Sequence, residues 1–196
     1  DDHEIVRITP DDIEVLKNGG NADGVILDGS RKMAPIRFLP DADPDEADRL
    51  LVELVLDNMT CAPGERSLIL SWLSCFLLID FAGTRPMTRF EGPVGSGKTT
   101  ESKLISALLY GEPQQKKSTD AANYTDGSQN PLIVLDNIEV KQMTEDLTTF
   151  ILTSITGIAK EKRKSGTDTE TVIERTKCLL NTTGIEPLGG ELAEIL

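Results

Sequence analysis

The chain has 196 residues, 38% of them hydrophobic and 27% charged, with a formal net charge of -13. That length and balance suit one soluble globular domain with a small appendage, and the acidity argues against a protein whose whole surface coats nucleic acid. A single histidine, His3, argues against a zinc site or a histidine-based triad, and three dispersed cysteines, Cys61, Cys75 and Cys178, predict buried thiols in a reducing, cytoplasmic compartment.

Residues 1–42 alternate short β-type runs, "HEIVRI", "IEVLK", "GVILD" and "PIRFL", with the turns "NGGNADG" and "DGS". They predict a small antiparallel unit that holds no catalytic grouping and serves docking or structure. Its acidic, polar opening is unlike a secretory signal. Residues 43–86 predict a helical platform. Asp43 precedes Pro44 at the first helical position and Glu46 at the third, an N-cap pattern, and "EADRLLVELVLDNM" supplies an apolar face. A second helix starts at Pro63 with Glu65 in its first turn. It carries the most apolar run, "LILSWLSCFLLI" at 68–79, which is too short to span a bilayer and predicts a buried core helix and no membrane association.

Residues 87–196 form the third unit. "MTRFEG" predicts a strand, followed by a glycine-rich loop and the helix "KTTESKLISALLYG", with Leu104, Ile105, Leu108 and Leu109 on one face and Gly111 past its end. "QQKKST" reads as a short strand and "DAANYTDGSQ" as a short helix. "PLIVLDN" is the continuous apolar run of a buried parallel strand. "QMTEDLTTFILTSIT" is helical, "GIAKEKRKSGTDTETVIER" is a hairpin turning at "SGTD", and "TKCLLNTTG" is another buried strand. This alternation predicts an α/β fold, a parallel sheet with helices on both faces, preceded by two helices and the small β unit.

The loop comprises Gly92, Pro93, Val94, Gly95, Ser96, Gly97, Lys98, Thr99 and Thr100, and fits G-x-x-x-x-G-K-[ST] in full. Glycines let backbone N–H groups crowd around phosphate oxygens, and the following helix aims its positive dipole end at the same place. Lys98 supplies a point charge for the outer phosphates and Thr99 a hydroxyl ligand for Mg²⁺, so the expected ligand is Mg·ATP. The alternative is a strand-to-helix turn without a ligand. Such a loop needs a second acid for Mg²⁺ at the end of a downstream buried strand adjacent in the sheet. Asp136 in "LIVLDN" is the candidate, and an Asx turn is its alternative. Asn137 stands where many ATPases carry a glutamate base. An amide cannot take a proton from water but can orient it or contact a phosphate, which leaves Glu139 as the nearest acid for that role. In "CLLNTTG", Asn181, with Thr182 second, is placed as an amide beside the γ-phosphate, or else as a strand-end turn residue.

The order "GPVGSGKTT", "LIVLDN", basic hairpin, "LLNTTGIEP" resembles additional-strand P-loop ATPases of the AAA+ type. More narrowly, over residues 45–196, it is similar to the ATPase domains of phage- and plasmid-type primase-helicase proteins related to superfamily 3 helicases. The resemblance implies that Lys98 and Thr99 are the Walker A pair, Asp136 the Walker B acid and Asn181 the sensor-1 amide. It also implies ATP and Mg²⁺ as cofactors, a homo-oligomer of which a hexameric ring is one form, and DNA as partner. Asn137 departs from the pattern, and no lid helix or second sensor follows up to Leu196. In such families a hairpin before the sensor strand grips DNA in the ring's pore. Here Lys160, Lys162, Arg163 and Lys164 would make that contact, with a solvated hairpin as the alternative. Arg175 would reach a neighbour's nucleotide as an arginine finger, or lie on the surface. The expected function is Mg-dependent ATP hydrolysis in DNA replication. A nucleotide-controlled assembly switch and a small-molecule phosphotransferase are the rival readings.

Overall fold

A computed structural model describes residues 4–27, 34, 38–114, 120–163, 171–190 and 192. β1 (Glu4–Ile8) and β2 (Ile13–Lys17) pair antiparallel, with Ile5 opposite Leu16 and Ile8 opposite Ile13. The expected third strand does not form within residues 24–27. Two asparagine side chains occupy its backbone instead. Asn21 accepts from Val25 N at 3.0 Å and donates to Val25 O at 2.8 Å, and Asn18 does the same for Leu27 at 2.8 and 2.7 Å. Asn side chains compete with a ladder in this way wherever the chain turns tightly. Most of the fourth run, at 35–39, lies outside the described residues.

α1 spans Pro44–Leu54, and Asp43 caps it by accepting from Asp45 N at 3.0 Å. The helix stops earlier than its apolar pattern and continues as a 3-10 turn over Leu56–Asn58. α2 spans Pro63–Ser74, with Glu65 reaching back to accept from Ala62 N at 2.8 Å. The apolar run at 68–79, which begins in α2 and continues through a 3-10 turn over Cys75–Leu78, is not uniformly buried, contrary to expectation. Ile69 and Trp72 turn inward, whereas Leu68 and Leu77 are 70% and 73% exposed. α2 is covered along one stripe only, as for a surface helix.

The larger sheet has three parallel strands, β3 (Thr88–Glu91), β4 (Leu132–Leu135) and β7 (Leu179–Gly184), in the order β3–β7–β4. The strand ending at Asp136 was expected beside the strand before the glycine-rich loop, but it is not its neighbour, because β7 lies between them. Register places Thr88 level with Asn181, and Asn181 level with Val134. Successive residues of β4 and β7 point to opposite faces. Leu132, Val134 and Leu179 pack with Ile105 and Tyr110 of α3 (Lys98–Tyr110) and with Ile69 and Trp72. Ile133, Leu135 and Leu180 pack with Phe150 and Ile151 of α5 (Glu145–Thr156) and with Tyr124 of α4 (Asp120–Gln129). Both faces of the sheet are thus covered by helices.

The inward face of α3 differs from the apolar count. Glu101, Ser102, Ile105, Ser106 and Tyr110 are buried, while Leu108 is exposed. The polar members are buried because each has a partner: Glu101 accepts from Thr60, Ser102 donates to Asn181 of β7, and Ser106 pairs with the backbone of Gln114. The expected hairpin pairs as β5 (Lys160–Arg163) against β6 (Thr171–Glu174), with its turn outside the described residues, as is nearly all of "QQKKST". Of the thiols only Cys178 is buried; Cys61 and Cys75 are half-buried. Among the described residues no helix is long and apolar enough to cross a membrane.

Tyr110 closes the outer edge of β4. Its hydroxyl donates to Leu132 O at 2.6 Å and accepts from Leu132 N at 3.0 Å, and burial pushes its ionisation up to about 12. Tyr110→Phe strands both backbone groups and is expected to lower unfolding free energy in urea by about 1–3 kcal/mol. The wild type should also lose stability as pH rises from the tyrosine's ordinary value of 10.0 towards about 12, because the unfolded chain ionises first. The variant should lose less over that window.

Candidate functional site

The loop between β3 and α3 has the backbone its glycines permit. Gly97 caps α3 with φ +92°, a conformation that non-glycine residues rarely adopt. At Gly92 a Cβ would stand 2.8 Å from Ser96 Oγ. That hydroxyl is itself buried without a partner among the described residues, next to the first turn of α3. Lys98 folds back over the loop and donates to Pro93 O at 3.1 Å. The N–H groups of Lys98, Thr99 and Thr100 open the helix and have no acceptor within it. A glycine cradle, an orphan hydroxyl, a lysine and a helix N-terminus make a donor set that fits an anion such as a polyphosphate.

Asp136 joins this loop from the other side of β7. Its Oδ1 accepts from Thr99 Oγ1 at 3.0 Å and from Thr183 Oγ1 at 2.8 Å. Thr183 Oγ1 in turn accepts from Asn137 N at 2.8 Å, and Thr183 O accepts from Ile138 N at 2.8 Å. Asn137 takes φ +58°, which lets the chain turn straight after Asp136. Asparagine is one of the few residues that tolerates this region. A carboxylate and a hydroxyl side by side at the mouth of an anion cradle are hard oxygen ligands of the kind Mg²⁺ takes.

The remaining expected residues fall elsewhere. Asn181 is not at the strand tip. It is fully buried one pleat below, accepting from Ser102 Oγ and donating to Thr88 Oγ1 at 2.7 Å. Thr183, which the sequence reading passed over, stands level with Asp136. Strand parity could have found it, since Asn181 and Thr183 share a face, but only once the end of β7 was known. Thr182 lies on the opposite face, 3.5 Å from Arg89 Nη1. The carboxylate of Glu139 is occupied by the strand that follows, accepting from Ile185 N at 2.8 Å. Lys160 does not extend into solvent. Its ammonium sits 4.4 Å from the centre of the Tyr124 ring and 3.5 Å from Asp146 Oδ1. Lys162 and Arg163 are in β5, and Lys164 lies outside the described residues. Arg175 is exposed in a shallow groove with Tyr124, Thr125 and Ser128, apart from the loop.

Behind the loop a groove of about 950 Å³ runs between α2 and β3, lined by Thr60, Cys61, Trp72, Phe90, Pro93 and Lys98 among others. Burial, with the carboxylates of Glu101 and Glu65 nearby, pushes the Cys61 thiol above its ordinary range. Thr60 joins the groove to the loop. Its N–H and hydroxyl both approach Glu101 Oε1, the hydroxyl at 2.5 Å, and the hydroxyl also lies 3.1 Å from Ser96 O. Glu101 is only 4% exposed, so these donors carry a buried carboxylate.

No family model and no curated protein matches the chain. Among solved structures, one chain described as the apo structure of the NrS-1 C-terminal region (305–718) aligns with a TM-score of 0.42 and 20% identity. The alignment covers 82% of this chain and 38% of that one, so this chain spans well under half of its length. At that degree of likeness neither fold nor activity passes from one chain to the other.

Thr60→Val removes the hydroxyl that donates to Glu101 and stands 3.1 Å from the Ser96 carbonyl. A hydrogen bond to a charged group contributes about 1.5–3 kcal/mol, so urea unfolding should report a loss of that order. Exchange of the loop amides should quicken at the same time. Unchanged stability would show that the Glu101 carboxylate is held without Thr60.

Proposed function

We propose that this chain is a nucleotide-binding domain of the additional-strand P-loop ATPase type, which takes Mg·ATP at residues 92–100. The observation that carries the reading is the 3.0 Å contact between Thr99 Oγ1 and Asp136 Oδ1, made across an intervening strand at the mouth of a glycine cradle. An unliganded turn needs no such partner from a distant strand. In this reading Lys98 meets the outer phosphates, Ser96 Oγ finds its missing partner there, and Thr99 and Asp136 hold Mg²⁺ directly or through water. The ion supplies charge neutralisation between the phosphates. Thr183 orients Asp136. The partition at 42/43 and 86/87, with an accessory β unit and a helical platform before the core, belongs to the same proposal.

Lys98→Ala should abolish tight ATP binding measured by calorimetry. Asp136→Ala should weaken binding chiefly in the presence of magnesium and leave the magnesium-free component close to wild type. Full retention of affinity in Lys98→Ala would defeat the nucleotide reading, and equal losses with and without magnesium in Asp136→Ala would remove Asp136 from the metal site.

Two uses of the nucleotide follow from different features. The first is a motor on DNA, working as a homo-oligomer. Its support is the hairpin β5–β6, together with the four cations that the sequence places within five positions at 160–164 of an acidic chain. The second is a slow switch that controls assembly, and one observation favours it. Asn137 cannot serve as a base, and the Glu139 carboxylate is already engaged by Ile185 N, so neither of these two residues after Asp136 offers a free acid for activating water. The two separate in one assay series on ATP-loaded protein. A motor hydrolyses ATP faster with single-stranded DNA. Alanine at Lys162, Arg163 and Lys164 should then flatten the slope of log affinity against log salt by about two units. A switch oligomerises with ATP at a rate and extent that DNA leaves unchanged.

A further inference from the structure

The geometry points to Arg89 as a positioning residue that ties together the three strand ends on which the candidate site is built. Arg89 lies on β3, on the sheet face away from α3, and its side chain is only 3% exposed. Nε donates to Glu91 Oε1 at 2.8 Å, at the entrance to the glycine loop. Nη1 stands 3.5 Å from Thr182 Oγ1 on the neighbouring strand. Nη2 crosses beneath the end of β7 to donate to Ile138 O at 3.0 Å, two residues past Asp136, and to Glu186 O at 2.7 Å, two residues past Gly184. One planar group therefore holds the loop entrance, the turn after Asp136 and the turn after β7. A guanidinium offers five N–H donors in a fixed fork, and no other side chain can serve three segments from one point.

Gly184 makes the crossing possible. A Cβ there would fall 1.9 Å from Arg89 Nη2 and 2.8 Å from Ile138 O, so the guanidinium occupies the space a side chain would need. The same two turns are stitched a second time by Glu139, whose carboxylate accepts from Ile185 N at 2.8 Å. Together these contacts hold the turn in which Asn137 sits at φ +58°, and that turn decides where Asp136 stands relative to Thr99. Arg89 directs its hydrogen bonds to the Ile138 and Glu186 carbonyls and to Glu91, around the site rather than into it. Its effect on the site is to fix the spacing between the hydroxyl and the carboxylate.

The functional consequence rests on the Mg·ATP reading, so the experiment carries two readouts. The variants are Arg89→Met, which keeps the stem and deletes the donors, Arg89→Lys, which keeps the charge without the fork, and Gly184→Ala, which displaces the guanidinium. In calorimetry all three should lose the magnesium-dependent gain in ATP affinity by roughly tenfold or more, as partners behind a metal ligand do, with magnesium-free affinity within about twofold of wild type. Full rescue by Arg89→Lys, or parallel losses with and without magnesium, would overturn the assignment. If the wild type shows no magnesium-dependent gain, the nucleotide reading fails, and amide exchange judges the tie alone. Ile138 and Ile185 should then exchange roughly tenfold faster in Arg89→Met, with the Phe150 region of α5 unchanged. Wild-type protection at both amides in that variant would dispose of the tie.

Discussion

The insertion of β7 between β3 and β4 is the constraint on which the rest of the structure depends. Every residue of β7 is buried, and it takes ladder bonds on both edges, so it cannot shift without breaking both pairings. The loop at residues 92–97 leaves from one neighbour and Asp136 from the other. Their separation is therefore set by the width of a central strand, two inter-strand steps of about 4.8 Å. Only a side chain reaching from the helix N-terminus can close that gap, and Thr99 does so.

β7 also determines the chemistry of its own centre. Its last four residues include Asn181, Thr182 and Thr183, all without solvent exposure. Polar groups in that position are costly unless satisfied. Each has its own partners. Asn181 takes Ser102 of α3 and Thr88 of β3, Thr182 faces Arg89, and Thr183 serves Asp136 and Asn137. The apolar half of the strand thus builds the two cores, and the polar half registers helix, strand and turn against one another.

Two arginines extend the same logic to the edges. Arg85, 8% exposed, donates through Nη1 to Thr176 O at 3.1 Å and through Nε to Ile79 O at 3.3 Å, which ties the entrance of β3 to the approach to β7. Arg89 does the equivalent at the other end of β3. Buried cations held chiefly by backbone carbonyls contribute little net stability, because desolvation offsets much of the gain. Their geometric effect is larger, since each fixes segments that no regular hydrogen-bond ladder reaches.

Much of the architecture was legible from local signals. The alternation of strands and helices, the cap at Asp43, and the glycine loop opening a helix all follow from short-range rules. The short β unit was only half legible, because Asn18 and Asn21 satisfied the backbone that a third strand would have used. Burial on α2 and α3 was misread where hydrophobicity alone was counted. Leu68 and Leu108 have nothing packed over them, whereas Glu101 and Ser102 have partners waiting. By itself the sequence determined most of the segments that become strands, helices and turns, and it marked Lys98, Thr99 and Asp136 as a set, since those residue types and spacings report local backbone demands. Only the tertiary structure decided that β7 lies between the other two strands, that Asn181 is buried against Ser102 while Thr183 stands beside Asp136, and that Arg89 and Glu139 serve backbone groups. Those outcomes depend on strand order and register, which are settled by long-range pairing between segments that share no local signal.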